Sequence, residues 1–142
     1  MGEGFMADLP GVLALLFIGA GIGVMIFFGA LVAPTAFRTL GEETAGPFIR
    51  TIFPIYHVIF IALGALATIS AWLAGARIGA VLLALVTAGF VYGRFALSPA
   101  MDKARASKDK QRFAALHQRS MLINLAQLAG FIVALALIAT RF

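Results

Sequence analysis

Residues 9–37 read LPGVLALLFIGAGIGVMIFFGALVAPTAF, without one charged side chain. A bilayer's hydrocarbon core is about 30 Å thick and takes roughly 20 apolar residues to cross as a helix. This run is longer than that, and three more follow it: residues 51–76, residues 78–93 with a continuation to Pro99, and residues 120–140. No Asp or Glu lies inside any of the four. The expected fold is all-α, a polytopic membrane protein built as a bundle of four transmembrane helices with short connections. The spans fall at about residues 9–34, 51–75, 78–98 and 116–140 of a single domain covering residues 1–142.

Composition agrees. Hydrophobic residues make up 62% of the chain and charged residues 12%, where a soluble domain has about 25% charged. The net charge of +5 does not point to nucleic acid, because most of the basic residues flank spans. There the counter-charge is an anionic lipid headgroup. The chain has no cysteine, which removes disulfides, thiolate metal ligands and thiol redox chemistry. Glu3 and Asp8 precede the first apolar run and no Lys or Arg does, the opposite of a secretory signal's basic start. The first run is therefore read as a retained helix.

Four spans place the N-terminus, the 75–79 connection and the C-terminus on one side, with only Arg77 and Arg141 as basic residues. The other side holds Arg38, Arg50, Arg94, Lys103, Arg105, Lys108, Lys110, Arg112 and Arg119. Short connections rich in Lys and Arg stay cytoplasmic. In a bacterial inner membrane both termini then face the periplasm.

Proline and glycine punctuate the runs. Pro34 and Pro99 are read as closing the odd-numbered spans, since proline disfavours helix in the residue before it. Pro54 removes an N–H near the start of the second span. Gly41, Glu42 and Glu43 read as a break and a fresh helix start, and residues 101–112 as an amphipathic helical link or a solvated charged loop. Ala33-Pro34 with Arg38 recurs 65 residues later as Ser98-Pro99 with Lys103, which suggests two parallel helix-pair repeats. Small residues recur at helical spacing in every span: Gly19 and Gly23; Gly64, Thr68, Ala71 and Gly75; Ala80, Ala84 and Ala88, as well as Gly89 and Gly93; Ala126, Gly130 and Ala134. Membrane helices meet through such residues, and the expectation is packing within the bundle rather than a dedicated dimerisation face.

His117, Ser120, Asn124 and Gln127 follow one another at steps of three, four and three, which puts them on one helix face. Polar side chains at membrane depth turn towards the bundle interior. Tyr56, His57, Tyr92 and Arg94 lie near the same ends of their own spans, so one polar cluster is expected there. It reads either as interhelical hydrogen bonding that fixes register or as a pocket for a small ligand, headgroup or cofactor.

The run Val32-Ala33-Pro34-Thr35-Ala36-Phe37-Arg38-Thr39-Leu40, then Phe53-Pro54-Ile55-Tyr56, then His117-x-x-Ser120-x-x-x-Asn124 resembles the transmembrane protein 205-like family, whose bacterial branch is a domain of unknown function. The likeness runs from the first span to about Leu128. It implies a four-helix membrane protein and supplies no reaction. Eukaryotic relatives are associated with drug resistance and trafficking, and no catalytic residue carries over. The eukaryotic histidine falls one position later than His57.

Two functional readings follow. The first is a non-enzymatic membrane protein: an accessory subunit, or a small carrier or binding protein, as a homo-oligomer or within a larger membrane complex. It needs no cofactor, and a proton-coupled carrier is disfavoured because the spans hold no carboxylate. The alternative is a haem- or metal-binding redox protein using His57 and His117, as bundle cores commonly house such sites. Nucleophilic catalysis has only Ser120 beside His117 and no oxyanion-hole signature.

Overall fold

The computed structural model describes residues 2–141, with side chains for residues 8–141; Glu3 lies outside the described side chains. Among the described residues there are helices and turns and no strand. Helix α1 (Gly2–Ile26) runs through a π-helical segment (Phe27–Val32) straight into α2 (Ala33–Leu40), and α3 (Glu42–Leu73) follows. Helix α4 (Arg77–Tyr92) runs through a second π segment (Gly93–Leu97) into α5 (Ser98–Ala106), and α6 (Lys110–Ala139) closes the described chain. Four rods result, Asp8–Leu40, Glu42–Leu73, Arg77–Ala106 and Lys110–Ala139, all long and apolar enough to cross a membrane. They close a ring: α1 against α3, α3 against α4, α4 against α6, and α6 back against α1. The protein is a four-helix transmembrane bundle.

The helices do not stop at Pro34 and Pro99, as the proline rule predicts. Each proline enters a short helix directly behind a π segment, whose last turn closes by a five-residue step: Ala33 N–H donates to Phe28 O, and Ser98 N–H to Gly93 O. A proline ring inside an α-helix collides with the carbonyl four residues back. One extra residue in the preceding turn moves that carbonyl aside, so the rod continues. Residues 101–112 are neither one helix nor a loop. They contain the end of α5, a turn at Ser107–Asp109 and the start of α6.

Turn chemistry fixes the other ends. Gly75 has φ 76°, and around it Gly75 N–H donates to Trp72 O and Ala76 N–H to Ala71 O, a Schellman ending. Lys108 does the same for α5 at φ 56°, with Asp109 N–H donating to Ala104 O. The Asp109 carboxylate then caps α6 by accepting from Arg112 N–H at 3.0 Å. Gly41, at φ 74° and ψ 164°, occupies a region that only glycine visits freely. It breaks the chain between α2 and α3.

The centre is aromatic. Phe60, Phe90 and Phe131, from three different helices, are fully buried. The Phe60 and Phe90 rings stack with centroids 4.7 Å apart, and Tyr56 lies 4.5 Å from Phe60. Gly21 of α1 faces this plug, where an added Cβ would already touch the Phe131 ring. Lipid is as apolar as phenylalanine, so these rings stabilise the bundle through dense contact rather than escape from water.

The rods span 33, 32, 30 and 30 residues, about 45–50 Å at 1.5 Å each. A core of about 30 Å leaves roughly 15 Å projecting. The projecting end is the one with α2, α5 and the charged starts of α3 and α6. It has a small core of its own, Ala36, Ala45 and Ile49 beneath Phe28 and Phe53.

The two halves repeat one plan: helix, π segment, X-Pro, short helix, positive-φ break, long helix. Tyr56 and Asn124 both stand fifteenth from the start of their long helices, α3 and α6.

Candidate functional site

Phe53, Tyr56, His57 and Phe60 follow a helical spacing on α3 and turn their rings into the bundle near the projecting end. Tyr56 is buried among Phe28, Phe53, Phe60 and Phe90. Its phenol oxygen accepts a hydrogen bond from Asn124 Nδ2 at 3.2 Å, across the ring from α6. One turn further along α6, buried Gln127 donates from Nε2 to Val86 O of α4 at 3.3 Å. Gly89 makes room for that amide, since a Cβ there would lie 2.8 Å from Gln127 Nε2. Asn124 and Gln127 therefore tie α6 to two other helices.

His57 is buried, with a hydrogen-bond partner at Nδ1. Nδ1 lies 2.8 Å from Phe53 O; a carbonyl only accepts, so Nδ1 carries the proton. Nε2 is pressed against the first residue of the second π segment, 2.8 Å from where a Cβ on Gly93 would sit. Arg94 follows Gly93, half-buried, with its guanidinium 5.5 Å from the Phe95 ring centroid. Its Nε is buried with no partner among the described residues.

The remaining expected members turn away. His117 is exposed and stacks on Phe113 of its own helix, with planes 9° apart. Tyr92 is exposed at the end of α4, and Ser120 is half-buried without a side-chain hydrogen bond among the described residues. Tyr56 and Asn124 thus meet, Gln127 and His57 are buried on separate partners, and His57 and His117 sit in different surroundings. Among the described residues no three of His, Asp or Glu come together. The aromatic shell around Tyr56 was not part of the expected cluster, although the spacing of Phe53, Tyr56 and Phe60 carries it.

Most of the small residues meet a neighbouring helix. Gly64 is filled by Thr87, Gly79 by Ile138 and Gly130 by Val86. Helix α1 differs. Gly19 and Gly23 are exposed, and a Cβ on either would meet nothing within 4 Å; the same is true of Gly29 in the π segment that follows. The expectation of packing within the bundle holds for Gly64 and Ala71 of α3, for Ala80 and Gly89 of α4 and for Gly130 and Ala134 of α6; it is corrected for Ala84, Ala88 and Ala126, which are exposed, and for Gly19 and Gly23 of α1. Its other face, with Ala14, Ile18, Gly21 and Met25, already fills the core.

A family model described as Domain of unknown function (DUF4149) matches residues 16–110. The chain belongs to the DUF4149 family. The matched stretch takes in the second half of α1 from residue 16, both π segments and all of α2 to α5, and ends where α6 begins. Tyr56, His57, Gly93 and Arg94 lie inside the stretch, whereas His117, Asn124 and Gln127 lie beyond it. No curated protein and no solved structure matches the chain.

Proposed function

We propose that this DUF4149 chain is a non-enzymatic subunit of the bacterial inner membrane that works by lateral association, with copies of itself or with another membrane protein. The observation that carries this reading is the outward pair Gly19 and Gly23 of α1, in a helix whose opposite face already fills the core. Missing side chains on a lipid-facing helix let a second backbone approach closely, which is how membrane helices associate. The filled centre adds support. With Phe60, Phe90 and Phe131 in the middle of the ring, association accounts for the fold better than passage of a solute through one copy. The likeness to the transmembrane protein 205-like family is compatible with such a role.

The test is particle mass in polymer discs cut directly from the membrane, without detergent. The expected result is a particle containing more than one 15.0 kDa chain, or this chain with a partner. Gly19→Leu with Gly23→Leu should reduce it to a single chain while the helical content stays unchanged. A lone chain in discs from the unaltered protein sinks the proposal.

A further inference from the structure

The end of the bundle opposite the charged connections carries two basic residues, Arg77 and Arg141, and both line one cavity. That cavity, about 420 Å³, is bounded by Gly75, Arg77, Gly79, Leu137, Thr140 and Arg141. It adjoins a groove of about 490 Å³ running down the outside of the bundle between α4 and α6. Arg77, Ile78 and Leu137 line both; the remaining wall of the groove is apolar, with Val81, Leu82, Leu85 and Val133. From Arg77 to Leu85 the groove follows α4 for about 12 Å, into the bilayer.

The arginines are held in place. The Arg77 guanidinium lies 3.8 Å from the centroid of the Trp72 ring, and Arg141 sits over Gly75, with its Nη2 3.7 Å from where a Cβ would be. Trp72 is the chain's single tryptophan and is exposed to the surroundings. Tryptophan settles at headgroup level, so Trp72 marks that depth at this end. Neither arginine forms an ion pair among the described residues. Asp8 shares this end from α1 and does not line the cavity.

We propose that the Arg77–Arg141 cavity and the α4–α6 groove form one phospholipid site, holding the phosphate of an anionic lipid between the two guanidinium groups and one acyl chain along the groove. The chemistry is complementary at each level. Guanidinium forks match phosphate oxygens in charge and geometry. Below them, exposed Ile78, Val81, Leu85 and Val133 offer the chain only apolar contact. The site is separate from the general attraction of anionic lipid to the projecting end, where the other basic residues lie.

Native mass spectrometry of the full chain tests this, with equimolar phosphatidylglycerol and phosphatidylcholine of identical acyl chains in mild detergent. One phosphatidylglycerol should be retained about thirtyfold over phosphatidylcholine, in keeping with two basic contacts at the membrane surface. Arg77→Gln with Arg141→Gln should remove the preference, and Val133→Phe, which fills the groove and leaves both charges, should weaken retention. Arg38→Gln with Arg50→Gln, at the projecting end, should change nothing. Preference that survives the Arg77 and Arg141 changes, or that is lost equally with the Arg38 and Arg50 pair, overturns the site. Displacement of the lipid by millimolar inorganic phosphate overturns it as well, since the cavity would then read a free anion.

Discussion

Asn124 spends its amide on one phenol oxygen, Tyr56 Oη, 3.2 Å away on another helix. Hydrogen bonds between membrane helices average about 0.6 kcal/mol, because the unfolded chain in lipid also finds partners. Asn124→Leu should therefore destabilise the folded protein by about that amount, and Tyr56→Phe similarly. The double variant should lose little more than either single one, as read by unfolding titrations of the detergent-solubilised chain. A loss above about 3 kcal/mol for Asn124→Leu, or full additivity, would show that the two side chains serve something other than their mutual bond. The same stripe shows how far residue spacing could be trusted. Asn124 and Gln127 turn inward as the three-and-four rhythm predicts. His117 is rotated only about 20° from Asn124 at 100° per residue, but it stands about 10 Å nearer the charged start of α6, where it is exposed and stacks on Phe113. His57 was visible as a polar residue in an apolar run, but its contact with Gly93 depends on how α4 is rotated, which no pattern within α3 encodes.

At the level of elements, the four rods were legible because every apolar run exceeds the length a bilayer needs. The π segments were not. Proline reads locally as a stop, yet α3 runs on through Pro47 and Pro54, and at Pro34 and Pro99 a widened turn lies directly ahead of the proline. Removing the cause should remove the effect. Pro99→Ala should draw Gly93–Leu97 towards α geometry and rotate α5 against α4 by about 100°, one residue's worth. Accessibility of single cysteines placed along Ser98–Ala106 reads this directly. An unchanged pattern would mean that packing of Gly93 on His57 holds the wide turn without the proline. Helix α1 was ambiguous for a different reason: it has glycines on both faces, Gly21 inward and Gly19 and Gly23 outward, and composition alone cannot rank them.

For the whole molecule, the uneven ends decide orientation. Nine of the eleven basic residues lie at the projecting end, and that end should face the cytoplasm. A reporter that is active only in the periplasm, fused after Phe142, should be active, and one active only in the cytoplasm should be silent. The reverse result would turn the molecule over. The repeated plan of the two halves has a further consequence. In an assembly of two identical half-length chains, a residue on the symmetry axis meets its own copy, so it must fit itself: phenol against phenol, or amide against amide. Tyr56 and Asn124 stand at matching positions of the two long helices and touch. A single chain carrying both halves is released from self-complementarity, and it has placed a donor opposite an acceptor where a symmetric pair would hold two of a kind.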